Sequence, residues 1–128
     1  MRDLKSNVDV AVSLAPAARS ASANGAAVDL QGFDAAIATA HFGNWTDGSH
    51  TPSLEESDDG SSFTAVAADD LQGAFAAVTS AAGNSSVQRV GYLGRKRYVR
   101  AVMTVSGATT GAVAAVAVVR GVPHRAAI

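Results

Sequence analysis

The sequence predicts an all-β protein: an antiparallel β-sandwich, jelly-roll-like in its connections, with an extended N-terminal arm over residues 1–7 and at most one short helix. Three observations lead there. Apolar residues recur with period two rather than 3.6. Short apolar runs are separated by Gly, Asn and Asp turn chemistry. The 128 residues suit one domain, 1–128, without repeats or a long linker.

Val8, Val10, Val12 and Leu14 alternate with Asp9, Ala11 and Ser13, the pattern of a half-buried strand. Ala15–Ala27 is rich in Ala but carries Pro16, Ser20, Ser22, Asn24 and Gly25, and is expected as an extended connection. A second strand region spans Ala35–Phe42, between the turn-like Gln31-Gly32 and Gly43-Asn44. Leu54–Ser57 and Ser62–Ala67 flank Asp58-Asp59-Gly60, the strongest hairpin signal, with Gly60 free to take positive φ. Ala68–Ala82 is evenly balanced between irregular chain and one short helix; Asp69 or Asp70 would cap it and Leu71, Phe75 and Val78 would form its stripe, though Gly73 weakens it. Val87–Tyr92 reads as a strand, and Tyr98–Val105 alternates clearly, with Val99, Ala101, Met103 and Val105 on one face. Ala112–Val119 is apolar on both faces, so a central strand covered on both sides is expected.

Composition sharpens the class. Apolar residues make up 48% of the chain, but 28 are Ala, so the core must come from Val, Leu, Ile and a few rings. Charged residues are 16%, too few for a long charged tail. The absence of Cys removes disulfides, thiolate metal sites and thiol nucleophiles. Ala101–Val119 is uncharged, but Ser106–Gly111 is turn chemistry, so two strands are expected rather than a membrane span. Val10–Leu14 is too short for the apolar part of a leader and follows Asp9, so a soluble protein without a leader is expected.

Charge is divided along the chain. Residues up to Asp70 hold all eleven acids against three bases, a balance of −8; from Leu71 onward there are seven bases and no acid, or +7. Either strands from the two halves interleave and neutralise each other, or the molecule has two oppositely charged surfaces suited to docking.

Motifs for chemistry are sparse. The acids come as sequential pairs, Glu55-Glu56, Asp58-Asp59 and Asp69-Asp70, and neighbours on a strand point to opposite faces. The Glu56–Gly60 run lacks the alternating oxygen ligands of a calcium loop. His41, His50 and His124 have no metal-pair spacing, and no Gly-x-Ser-x-Gly elbow is present among thirteen Ser. No catalytic, metal-binding or cofactor-binding residues are therefore assigned. Gly91-Tyr92-Leu93-Gly94-Arg95-Lys96-Arg97 has the Gly-x-x-Gly and bases of a KH-type phosphate clamp, but strands rather than helices flank it, so a charged turn on a sheet rim is expected and nucleic acid is not. The runs Glu56–Phe63 and Lys96–Arg100 resemble strands of discoidin-type, galactose-binding-like sandwiches. Trp45 is then either an aromatic platform for sugar or a plug closing one end, the latter being favoured.

The whole chain resembles small structural proteins encoded among the head genes of tailed bacteriophages and prophages. The resemblance rests on Met1–Asn7, Val28-Asp29-Leu30-Gln31-Gly32-Phe33, Thr46–Pro52, Glu56–Gly60, Gly91–Gly94, Arg97–Arg100 and Gly121-Val122-Pro123-His124. It implies a non-enzymatic capsid decoration or cement protein on the outside of the shell formed by the major capsid protein. The protein would be made in the host cytoplasm and located on the virion. Multivalency lets each contact be weak. Partner contacts are expected from the arm (Arg2, Asp3, Leu4, Lys5) and the basic turn (Arg95, Lys96, Arg97), with neighbouring copies or self-association as further partners and no membrane. The arm could add a strand to a neighbour's sheet. The alternatives are a head–tail or tail component of the same particle, or a carbohydrate-binding module displayed on the virion.

Overall fold

A computed structural model describes residues 3–123. After a 3₁₀ turn at Lys5–Asn7, ten strands follow: β1 (Val8–Arg19), β2 (Ala23–Asn24), β3 (Val28–Asp29), β4 (Phe33–Trp45), β5 (Ser49–Ser57), β6 (Thr64–Ala65), β7 (Leu71–Gln72), β8 (Ser86–Tyr92), β9 (Tyr98–Ser106) and β10 (Ala112–Pro123). One sheet runs β1-β10-β4-β8-β7 and the other β2-β9-β5-β6, with β3 also paired to β9 and every pairing antiparallel. If β2 and β3 are two pieces of one interrupted strand, and β7 is an addition to β8, eight strands remain. Their order is first, last, third, sixth in one sheet and second, seventh, fourth, fifth in the other. That is a jelly roll, as the sequence predicts.

The core lies between the sheets. Val99, Ala101 and Met103 of β9 face Ala38, Ala40 and Phe42 of β4 and Val116 and Val118 of β10, all buried. The alternation expected in Tyr98–Val105 holds, because β9 is flanked on both edges yet covered on one face only.

Several of the expected elements differ. Ala15–Arg19 is not a connection but the continuation of β1, carried past Pro16 by irregularities between Val12 and Leu14 and between Leu14 and Ala17. Pro16 has no N–H to donate, and it is tolerated because β1 is an edge strand and Pro16 falls in the irregularity between Leu14 and Ala17. Ala68–Ala82 forms no α-helix: 3₁₀ turns at Ala68–Asp70 and Ala81–Gly83 bracket β7, and Gly73 turns the chain at φ +102°. Val78, instead of joining a helical stripe, exchanges backbone hydrogen bonds with His50 at 2.8 and 3.0 Å.

The bulge in β1 has a further effect. A half-buried strand would place Val10 and Val12 on the core, yet they are 59% and 57% exposed, while Ser13 and Leu14 are both buried. The extra residue reverses the facing: Leu14 opposes the inward Val116, whereas Val10 and Val12 oppose the outward Val119 and Ala117. β10 is central, between β1 and β4, but only its inward face is covered; Val113, Ala115, Ala117 and Val119 look outward. The expectation of a doubly covered strand is therefore not met within one copy of the chain.

Ser13 explains why the bulge is held. β9 is left without a ladder partner where β2 and β3 are interrupted at residues 25–27. The Ser13 hydroxyl fills the gap, accepting from Ala101 N at 2.8 Å and donating to the Ala26 carbonyl at 2.7 Å. A side chain at Gly25 would collide with this hydroxyl, 2.5 Å from an ideal Cβ.

Candidate functional site

The two segments singled out as contacts meet at one end of the sandwich. Val8 opposes Gly121, Gly121 opposes Ala35, Ala36 opposes Tyr92, and Tyr98 opposes Asp29. The N-terminal turn, the β3–β4 turn, the β8–β9 turn and the end of β10 therefore share that end. Two clefts open there. One of ≈ 370 Å³ lies between Ser6–Asp9 and Pro123. The other, ≈ 470 Å³, lies beside Gly94–Arg97, and Gln31, Gly32 and Phe33 form the ridge common to both.

Each expected contact residue can be placed except Arg2, which lies outside the described residues. Asp3 is turned inward on its own turn: its Oδ1 accepts from Ser6 N at 3.2 Å, and hydrogen bonding from the Ser6 side chain, then from its amide, lowers the Asp3 pKa. The Asp3 carbonyl accepts from the Asn7 side chain at 2.7 Å. Residues 5–7 are thereby coiled rather than extended, so this part of the arm presents no ready strand to a neighbouring sheet. Leu4 projects from the turn, 67% exposed, and Lys5 is exposed beside it.

The basic turn is less free than its sequence suggests. Lys96 Nζ lies 2.8 Å from Asp58 Oδ2, which raises the lysine pKa. Arg97 grips Asp29 with two hydrogen bonds of 2.8 and 2.9 Å, which lowers the Asp29 pKa. Tyr92 ties the base of the turn: its hydroxyl donates to Glu56 Oε1 at 2.7 Å and accepts from Lys96 N at 3.1 Å, and burial pushes its pKa up. Arg95 is exposed and has no ion pair among the described residues. Leu93, 58% exposed, precedes it.

The same pairs decide the charge question. Lys96–Asp58, Arg97–Asp29, Arg100–Glu55 and Arg120–Asp9 each join an acid of the first half to a base of the second. Interleaved strands thus neutralise the two halves, because sandwich neighbours are distant in sequence. Arg100 also stacks 4.2 Å from the Phe63 ring centre.

The other readings can be placed too. Glu55 faces Arg100 across β5–β9 while Glu56 reaches Tyr92, so the sequential acids do point to opposite faces. Ser57 Oγ accepts from Asp59 N and Gly60 N, and Asp59 Oδ1 accepts from Ser61 N and Ser62 N. These amide bonds hold the Asp59 pKa down at about 2, and the loop is six residues long between Ser57 and Thr64, not a tight hairpin. Trp45 is partly buried against the core with its indole N–H donating to the Gly48 carbonyl at 2.9 Å, the geometry of a plug at the far end. His50 is fully buried there, its Nε2 2.9 Å from the Asp47 carbonyl, and His124 lies outside the described residues. No cluster of three or more His, Asp or Glu side chains able to hold a metal occurs among the described residues.

Two residues carry roles that the sequence reading did not single out. Ser13 completes the β9 ladder. Asp47 clasps the β9–β10 turn, its carboxylate accepting from Gly111 N at 2.6 Å and from Thr109 N and Thr110 N, which lowers its pKa. The dipeptide Asp47-Gly48 signals a turn, but its partner lies some sixty residues away and leaves no local trace. No family model, no curated protein and no solved structure matches this chain.

Proposed function

We propose that this protein is a non-enzymatic structural subunit of a virion, a decoration protein that binds the outside of the shell built by the major capsid protein. The observation that supports it is the convergence at one end of the sandwich. Leu4, Leu93 and Val122 are each more than half exposed there, beside Lys5 and Arg95 and two clefts of several hundred Å³. Apolar anchors ringed by bases and backed by a rigid jelly roll suit a shape-matched contact that is repeated many times on a lattice. The Asp29–Arg97 and Asp58–Lys96 pairs fix the turn, so little ordering cost remains for its neighbours on docking.

The test is co-sedimentation with undecorated capsids. Leu4→Asp combined with Leu93→Asp should weaken attachment at least about tenfold without changing the circular dichroism of the free protein, since both side chains are exposed. Unchanged attachment would overturn the assignment of this end to the shell.

A further inference from the structure

We infer that the outer face of the β1-β10-β4-β8 sheet is a self-association surface, which a second copy of this chain covers face to face. The face is written as a core. Val10 and Val12 of β1, Val113 and Val119 of β10 and Ile37 of β4 point away from the sandwich interior. Obligate contacts between identical subunits have this composition, resembling a domain core cut in half, whereas contacts between unlike proteins lean on Trp, Tyr and Arg anchors. Along 35–43 of β4 and 113–121 of β10 no Phe, Tyr or Trp takes an outward position.

Its central polar group is already satisfied. The Thr39 hydroxyl donates to the Ala117 carbonyl at 3.3 Å and accepts from His41 Nε2 at 3.1 Å. Burying it therefore leaves few bonds unmade. Arg89, on β8 at the border, is the single formal charge among the described outward positions of these strands, so a second copy brings no acid that must be desolvated. Twelve residues of β10 and the width of four strands make a face of roughly 40 by 19 Å, or about 760 Å². That is close to the ~800 Å² that each partner contributes to a standard interface.

The face is preferred to the edge for two reasons. The free edge of β1 is interrupted by two irregularities and by Pro16, which blunt strand addition. On the face, by contrast, a shallow apolar depression of ≈ 360 Å³ opens between Val12, His41 and Val113, where Gly43 has no side chain. A valine from a facing copy fits it, as in the stacking of two sheets ~10 Å apart.

Sedimentation velocity on the full chain tests this, with Val10→Lys/Val12→Lys as the main variant and Val113→Glu as an independent one. Both change residues exposed in the single copy, so circular dichroism should be retained. The unaltered chain should be dimeric at about 10 µM, and either variant should weaken the dimer at least ~100-fold. The Leu4→Asp/Leu93→Asp protein should stay dimeric, which separates this surface from the shell-binding end. A chain that is monomeric at about 100 µM, or a dimer that both variants leave intact, would overturn the inference. So would a monomeric chain whose capsid attachment is lost in Val10→Lys/Val12→Lys, which would give the face to the shell protein.

Discussion

Replacing Ser13 by Ala removes a hydroxyl that no water can replace without entering the sandwich. Ala101 is fully buried, and its N–H points into the gap between β2 and β3, where the Ser13 oxygen is its partner. Leaving one buried donor unpaired costs about 1–3 kcal/mol. The Ala26 carbonyl, on an exposed residue, can turn to solvent and adds little. The expected loss is therefore ~2 kcal/mol, which for a domain of this size lowers the melting temperature by roughly 6–10 °C. Urea and thermal unfolding followed by circular dichroism will measure it. Ser53→Ala is the control: its hydroxyl makes a 3.4 Å bond on an exposed surface, and its loss should stay within about 0.5 kcal/mol. If Ser13→Ala unfolds like the parent, the hydroxyl is not what completes the β9 ladder, and the account of the bulge fails with it.

Other perturbations have equally definite outcomes. Gly60 sits at φ +79°, so Gly60→Val should cost about 1–3 kcal/mol in urea unfolding; an unchanged midpoint would refute the strained turn. Trp45→Ala should cost ~2–3 kcal/mol for a partly buried ring while sparing capsid attachment by whatever fraction folds. Asp29, Asp47 and Asp59 all have pKa values below that of an unfolded aspartate, the last at about 2. Their contribution is fully present above pH ~4 and is lost as pH falls through the folded values, so the melting temperature should drop between pH ~4 and ~2. Asp59→Asn should flatten part of that drop, and a pH profile identical to the parent's would show that the loop amides do not hold the carboxylate.

Strand identity was legible because it is written locally. In Tyr98–Val105 the period-two pattern gave both the strand and its buried face, and Ser106–Gly111 marked the turn through Gly107 and Gly111, both at positive φ. The turn at Gly91–Arg97 was also legible through Gly94 and its run of bases, whereas the coil at Lys5–Asn7 was not, since the N-terminal segment reads as extended. What the sequence could not show was facing. One extra residue near Ser13 inverts the valine face of β1, and alternation is blind to a bulge that a partner 88 residues away stabilises.

The sequence by itself determined the all-β class, the position of most strands and turns and the presence of two halves of opposite charge, because alternation, turn residues and composition are properties of neighbours in the chain; the order of the strands in each sheet is tertiary. Only the tertiary structure decided that Lys96 and Arg97 are tied to Asp58 and Asp29 while Arg95 has no such pair. It also decided that the apolar second face of β10 looks outward. Both depend on which distant strands lie side by side, and the free energy that selects them comes from burying one shared core, not from any single segment.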